Sequence, residues 1–130
     1  MFSSDSFANI NMMDRAADAS YVRQTVLAHN LANVDTPNYK RSEVDFQSVL
    51  ERELKNTHTN DPVVAVKRLD GSRLKPKVYE DMSNFSYRID RNNVDVDTES
   101  MEIASEQLRY QLITTAITNA FGRFKIVTNA

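Results

Sequence analysis

Apolar residues recur at helical spacing over two long stretches, one towards each end of the chain. From about Phe7 to Ala32, Ile10, Met13, Ala17, Tyr21, Ala28 and Leu31 fall in one stripe, with Leu27 at its edge. Arg15, Asp18 and His29 lie on the other side, and Val22 and Val26 form an off-stripe pair at i, i+4. From about Asp97 to Val127 two stripes run on roughly opposite faces. One passes through Met101, Ser105, Leu108, Leu112, Thr115, Asn119, Gly122 and Ile126. The other passes through Ile103, Glu106, Tyr110, Ile113, Ile117, Ala120, Phe124 and Val127, with Phe121 beside it. Spacings that alternate between three and four residues are those of helix–helix packing.

A helix of ~30 residues is ~45 Å long, more than a small domain needs. The N-terminal helix can cover only one of the two C-terminal stripes, so the other is expected to meet another subunit. The Met101, Leu108, Leu112, Ile126 stripe ends in small or polar residues and is expected to be the intramolecular one. The larger, more apolar stripe of Ile103, Tyr110, Ile113, Ile117, Phe121 and Phe124 is expected to be the assembly surface.

Between the helices the pattern is short-ranged. Glu43–Lys55 reads as a short helix with Asp45 as its cap and Phe46, Leu50 and Leu54 on one face. Asn56–Asp61 is polar and reads as a loop. Val63–Val66 and Leu74–Tyr79 are strand candidates joined at Asp70-Gly71, the second limited to an edge by Pro76, and Phe85–Ile89 is a third. Lys67, Arg68, Arg73, Lys75 and Lys77 form a basic cluster diluted by Asp70, which reads as a solvated loop. Asp95 or Asp97 caps the last helix, where its dipole favours carboxylates. The fold class expected is mainly α: two long terminal helices paired as a coiled coil, with a short helix and an irregular or small β segment between. Residues 1–39 and 92–130 would make one discontinuous helical domain and residues 40–91 the insert.

The first helix stops abruptly. Pro37 lacks an N–H and pushes Thr36 towards an extended conformation. Thr36-Pro37-Asn38-Tyr39 fits a type II turn, which needs positive φ at Asn38. This exit, Ala32, Asn33, Thr36, Pro37, Asn38 and Tyr39, resembles the N-terminal signature of the flagellar basal-body rod, hook and hook-associated proteins. Asn38 stands where that family has glycine, and asparagine keeps the left-handed conformation open. Asn92–Glu99, followed by Gln107-Leu108-Arg109-Tyr110-Gln111, is similar to the C-terminal pattern of the proximal rod members of the family. The resemblance covers both terminal helices and their boundaries. It implies a structural subunit that packs side by side with copies of itself and with other rod proteins. These would form a tubular shaft joined to the membrane ring through a junction protein, passing torque to the distal rod and hook. It also implies export through the flagellar type III apparatus without a cleaved signal.

Composition narrows the alternatives. Cysteine is absent and the formal net charge is −2, so disulfides are excluded and nucleic acid has no electrostatic case as main partner. Met1-Phe2-Ser3-Ser4-Asp5 shows no basic region followed by an apolar run, so no cleaved secretory signal is expected, and no stretch is apolar enough to span a membrane. His29 and His58 fall in different elements without other soft ligands, and neither a phosphate loop nor a nucleophile elbow is present. No enzyme, cofactor, metal or small-molecule substrate is expected. Two amphipathic helices would also suit a soluble helical adaptor or a secretion chaperone, although neither needs the Thr36–Tyr39 exit or two full-length stripes.

Overall fold

The computed structural model describes residues 2–82 and 89–129. Two helices dominate it, α1 (Phe2–Ala32) and α4 (Val96–Thr128). They run antiparallel. Phe7 stacks on Phe124 at 5.2 Å, Ser20 reaches Glu106, and Asn30 reaches Glu99.

The sides of α1 have distinct duties. Ile10, Ala17, Ser20 and Leu27 are buried, with Met13, Gln24 and Leu31 half-buried beside them, on the face that meets α4. These positions alternate strictly by three and four, the 3.5-residue repeat of a helix pair. Tyr21 and Ala28, which the apolar count places in this stripe, are exposed. The period puts Ser20 and Gln24 there instead, and both donate to Glu106. Ala16, Ala19, Arg23, Val26 and Asn30 form a second covered stripe, and the first three line a cavity with Val44 and Phe46 of the middle segment. Leu27 is fully buried, so Leu27→Ala should cost ~2–5 kcal/mol.

On α4 the stripes take the opposite assignment to the one expected. Met101, Leu108, Leu112 and Ile126 are 74%, 63%, 72% and 73% exposed. Ile103, Tyr110, Ile113, Ile117 and Phe124 are half-buried on the side of α1, and only Phe121 of that set lies open. The physical reason is Glu106. A carboxylate inside the more apolar stripe needs a partner, and α1 supplies Ser20 and Arg23 opposite it.

The middle segment is more helical than its apolar pattern suggests. β1 (Ser42–Asp45) and β2 (Lys77–Glu80) form a two-stranded antiparallel ribbon with Val44 opposite Val78. The helix expected from Glu43 therefore begins later, as α2 (Gln47–Lys55), with Val49 buried and Phe46, Leu50 and Leu54 half-buried. Asp45 still serves its start, accepting from the Ser48 N–H at 3.0 Å. Val63–Val66 is not a strand but part of α3 (Pro62–Arg68). Asp61 caps it by accepting from the Val63 N–H at 2.9 Å, and Pro62 at the first position is pre-set for helix. A 3₁₀ turn at Gly71–Arg73 follows, capped by Asp70, and leads to buried Leu74. The strand expected at Phe85–Ile89 falls largely outside the described residues. Lys67, Arg68, Arg73, Lys75 and Lys77 are all exposed.

Candidate functional site

The end of α1 and the start of α4 are joined by a polar clasp. Thr36–Tyr39 closes as a turn, with the Tyr39 N–H donating to the Thr36 carbonyl at 3.3 Å and Asn38 at φ 59°. Thr36 Oγ1 donates to Asn33 Oδ1 at 3.1 Å, and Asn33 Nδ2 donates to the His29 carbonyl at 2.8 Å. Ala32, Thr36, Pro37 and Asn38 are exposed, while Asn33 and Tyr39 are half-buried.

Asn92, fully buried, secures this exit to the beginning of α4. Its Nδ2 lies 2.9, 2.8 and 2.9 Å from the carbonyl oxygens of Asn33, Val34 and Thr36. Its Oδ1 accepts from the Val94 N–H at 2.8 Å. One side chain thus satisfies carbonyls that the end of a helix leaves without intrahelical partners. The Asn38 N–H donates to the Asp90 carbonyl at 2.9 Å, and Asn93 Oδ1 accepts from the Arg41 N–H at 2.7 Å. Asp95 then caps α4, accepting from the Asp97 N–H and the Thr98 hydroxyl, bonds that hold its carboxyl below the usual range.

A second asparagine, Asn30, does the same for β1. Its Oδ1 accepts from the Ser42 N–H at 2.8 Å and from the Tyr39 hydroxyl at 3.1 Å. Its Nδ2 donates to the Ser42 carbonyl at 2.8 Å and to Glu99 at 3.1 Å. Burial, followed by the charges of Glu99 and Glu80, raises the Tyr39 hydroxyl above its ordinary pKa.

From Glu99 a chain of alternating charge runs along the helix pair. Arg41 Nε sits 2.5 Å from Glu99, and its other end lies 2.8 Å from Glu43. Glu43 meets Arg23 at 2.9 Å, and Arg23 reaches Glu102 at 2.9 Å and Glu106 at 3.1 Å. Ser20 Oγ donates to Glu106 at 2.6 Å. Burial disfavours charge on Arg23 and Arg41, but their carboxylate partners outweigh it and both are raised. The same contest on Glu43 ends the other way for an acid: burial pushes it up, the charge and hydrogen bond of Arg23 pull it further down, and the net shift is downward. Among the described residues no buried side-chain N or O lacks a partner, no cluster of His, Cys, Asp or Glu could hold a metal, and no helix is long and apolar enough to cross a membrane. Every group in the clasp is engaged in holding α1, β1 and α4 in one register.

Of the expected exit, the clasp joins Asn33 and Thr36 to Asn92, Asn38 to Asp90 and Tyr39 to Asn30. The α4 stripes are not brought to it, except that Ile103 and Tyr110 flank the Glu102–Glu106 region. Asn30, Arg41, Glu43, Glu99 and Glu106 were missed from the sequence. Glu99 and Glu106 stand seven residues apart, on one face of a helix, and Glu106 lies in a stripe otherwise apolar. That was the available signal. Beyond the clasp, towards the free ends of the helices, the pairing becomes apolar. Ile10, Met13, Ala116, Ala120, Phe124 and Val127, with Asn9, Asn119 and Arg123, line an open trough of about 750 Å³ there.

Residues 12–40, from the middle of α1 through the exit, match the family described as flagella basal body rod protein. Three relatives extend the likeness over nearly the whole chain, and each is a flagellar basal body rod protein FlgB. The protein from Borreliella burgdorferi is 33% identical, covering 92% of this chain and 94% of the relative. That from Bacillus subtilis is 32% identical, covering 91% of each. That from Escherichia coli is 31% identical, covering 94% of this chain and 91% of the relative.

Proposed function

The chain belongs to the flagellar basal body rod proteins, and from that premise we propose that the exposed α4 stripe is the surface through which copies build the shaft. It is a structural subunit of the proximal rod, a component of the flagellar basal body that assembles with other rod proteins. The role is mechanical rather than catalytic. The subunit passes torque from the membrane ring towards the distal rod and hook, meets the ring through a junction protein, and is exported into the rod through the flagellar type III apparatus. It needs no cofactor and no small-molecule substrate.

The observation that carries the assembly reading is the openness of Met101, Leu108, Leu112 and Ile126 on a helix whose other face is already engaged. A helix apolar on two sides is buried on two sides. Met101, Leu108, Leu112 and Ile126 are large apolar side chains left open along one α4 face, with Ser105, Thr115, Asn119 and Gly122 between them. The charged clasp supports the same role, because it fixes the helix pair as one rigid unit with a defined outer surface.

The test is a pair of substitutions followed by imaging of basal bodies. Leu112→Asp changes an exposed position, so the thermal transition of the subunit should move by no more than ~0.5 kcal/mol equivalent. Secretion should continue, and rods should be absent, because an unpaired charge would be buried on assembly. Ile117→Asp faces α1 and should destabilise the subunit itself. Normal rods built from Leu112→Asp would remove the stripe from the interface.

A further inference from the structure

The two strands of the ribbon differ in what lies beyond their outer edges. The Asp81 N–H donates to the Arg41 carbonyl at 2.8 Å, Ser42 stands opposite Glu80, and Val44 stands opposite Val78. Inter-strand bonds of an antiparallel pair fall on alternate residues. They therefore run through Glu43 with Tyr79 and Asp45 with Lys77, and Ser42, Val44, Val78 and Glu80 turn their N–H and C=O groups outwards. On β1 the outer edge is occupied. The Asn30 side-chain amide bonds both the N–H and the C=O of Ser42, as a neighbouring strand would, and Glu43 accepts from the Val44 N–H at 3.3 Å. On β2 it is open. Among the described residues nothing bonds the outward groups of Val78 and Glu80, and the whole strand is exposed, Val78 at 49% and Tyr79 at 45%.

We propose that β2 accepts an extended segment of another protein as a third, antiparallel strand. The inference goes beyond the rod reading and does not depend on it. Unpaired N–H and C=O groups along an exposed strand are a template for a second chain. Antiparallel addition continues the ribbon and is the stabler pairing per residue. The side chains of β2 set what the added strand carries. Read from its N-terminus, it places a basic residue opposite Glu80, a β-branched one opposite Tyr79, an apolar one opposite Val78 and an acidic one opposite Lys77. Lys75 extends the basic end of this edge, and Pro76, which has no N–H to give, closes it.

A second copy of β2 is a poor occupant. Edge-to-edge pairing must set outward residues opposite outward residues, which restricts the antiparallel registers. One register puts Glu80 opposite Val78, and the next puts Glu80 opposite Glu80. A third puts Glu80 opposite Pro76, where a hydrogen bond is lost. The charge-matched alignment, Lys77 opposite Glu80, brings outward Val78 against inward Tyr79 and has the wrong parity for the hydrogen bonds. Charge complementarity and hydrogen-bond parity are met together only by a strand of different sequence.

The experiment follows single amides of the full-length subunit by NMR hydrogen exchange. In the dilute subunit the Val78 and Glu80 N–H groups should exchange much faster than those of Lys77 and Tyr79, which face β1. Protection of the outward pair without any addition, or on concentrating the subunit, would mean an edge filled from within the chain or by a second copy, and overturns the proposal. A synthetic peptide with Lys-Thr-Ile-Glu at its centre, at about ten times its Kd, should slow both outward amides roughly tenfold. The charge-swapped peptide, with Glu-Thr-Ile-Lys, should slow them far less at the same concentration. Equal protection by the two peptides, or protection by neither, overturns the proposal. Val78→Pro removes an outward N–H and spares the bonds to β1, so the melting temperature should fall far less than in Tyr79→Pro, while peptide protection at Glu80 disappears. Equal destabilisation by the two prolines, or peptide binding retained in Val78→Pro, shows that the outward edge is not the site.

Discussion

Arg41 and Glu99, 58 residues apart in sequence, meet at 2.5 Å where the first helix has just ended and the last has just begun. Glu99 is 1% exposed and also accepts from Asn30, while Arg41 shares its other end with Glu43. The pair therefore stands inside a satisfied network, in which removal of one member leaves several groups unpaired.

Glu99→Ala is expected to cost about 3–5 kcal/mol, because Arg41 would remain charged and part-buried without its strongest partner. Glu99→Gln keeps the shape and one acceptor and should cost less. Urea unfolding of the dilute subunit checks both. Equal stability of all three proteins would show that the clasp contributes nothing to holding the helices.

The exit turn makes a second prediction. Asn38 has φ 59°, a conformation that glycine adopts freely and a β-branched residue resists. Asn38→Gly should be neutral or slightly stabilising, whereas Asn38→Val should cost about 1–2 kcal/mol. The same unfolding measurement discriminates, since equal stability of the two variants would place no demand on the backbone there. Pro37→Ala should matter less, because Asn92 still holds the carbonyls of Asn33, Val34 and Thr36.

The long helices and their boundaries were legible because their signals are local. Pro37 and Asn38 stop α1, Asp95 caps α4, and apolar spacing marks the faces. Which face meets which was not legible from apolar content alone. Ranking the α4 stripes by size put Ile113 and Ile117 outside, yet the polar partners Ser20, Arg23 and Glu106 decide the pairing. A stripe's suitability for burial depends on what lies opposite, and that is a property of two segments 86 residues apart. Val63–Val66 failed for a different reason. Three β-favouring valines were outweighed by a helix-favouring alanine at Ala65, a cap at Asp61 and a proline at the first helical position. Asn30 gave no signal and Asn92 only a place in the Asn92–Glu99 likeness, not its role, because an asparagine that satisfies distant carbonyls looks in sequence like any other polar residue.

The last prediction concerns acid. Glu43 has its pKa lowered in the folded subunit, chiefly because Arg23 and Arg41 overcome the effect of burial. Asp45, Asp70 and Asp95 are lowered by hydrogen bonds to nearby hydroxyls and backbone N–H groups. A carboxyl depressed on folding adds stability that is fully present above its unfolded value, about 4.3 for glutamate. That stability is lost as pH falls through the folded value. Thermal stability should therefore be flat from about pH 7 to pH 5 and decline below about pH 4, as these groups are protonated. Arg23 and Arg41, raised from an already high value, stay charged throughout and impose no acid limb of their own. At the other end Tyr39, raised by burial, favours its neutral form, so stability should also decline above about pH 10. Glu43→Gln separates the contributions. It should lower the melting temperature at neutral pH and reduce the acid slope without removing it, since the aspartates remain. An unchanged slope would mean that the Arg23–Glu43–Arg41 link does not couple folding to protonation.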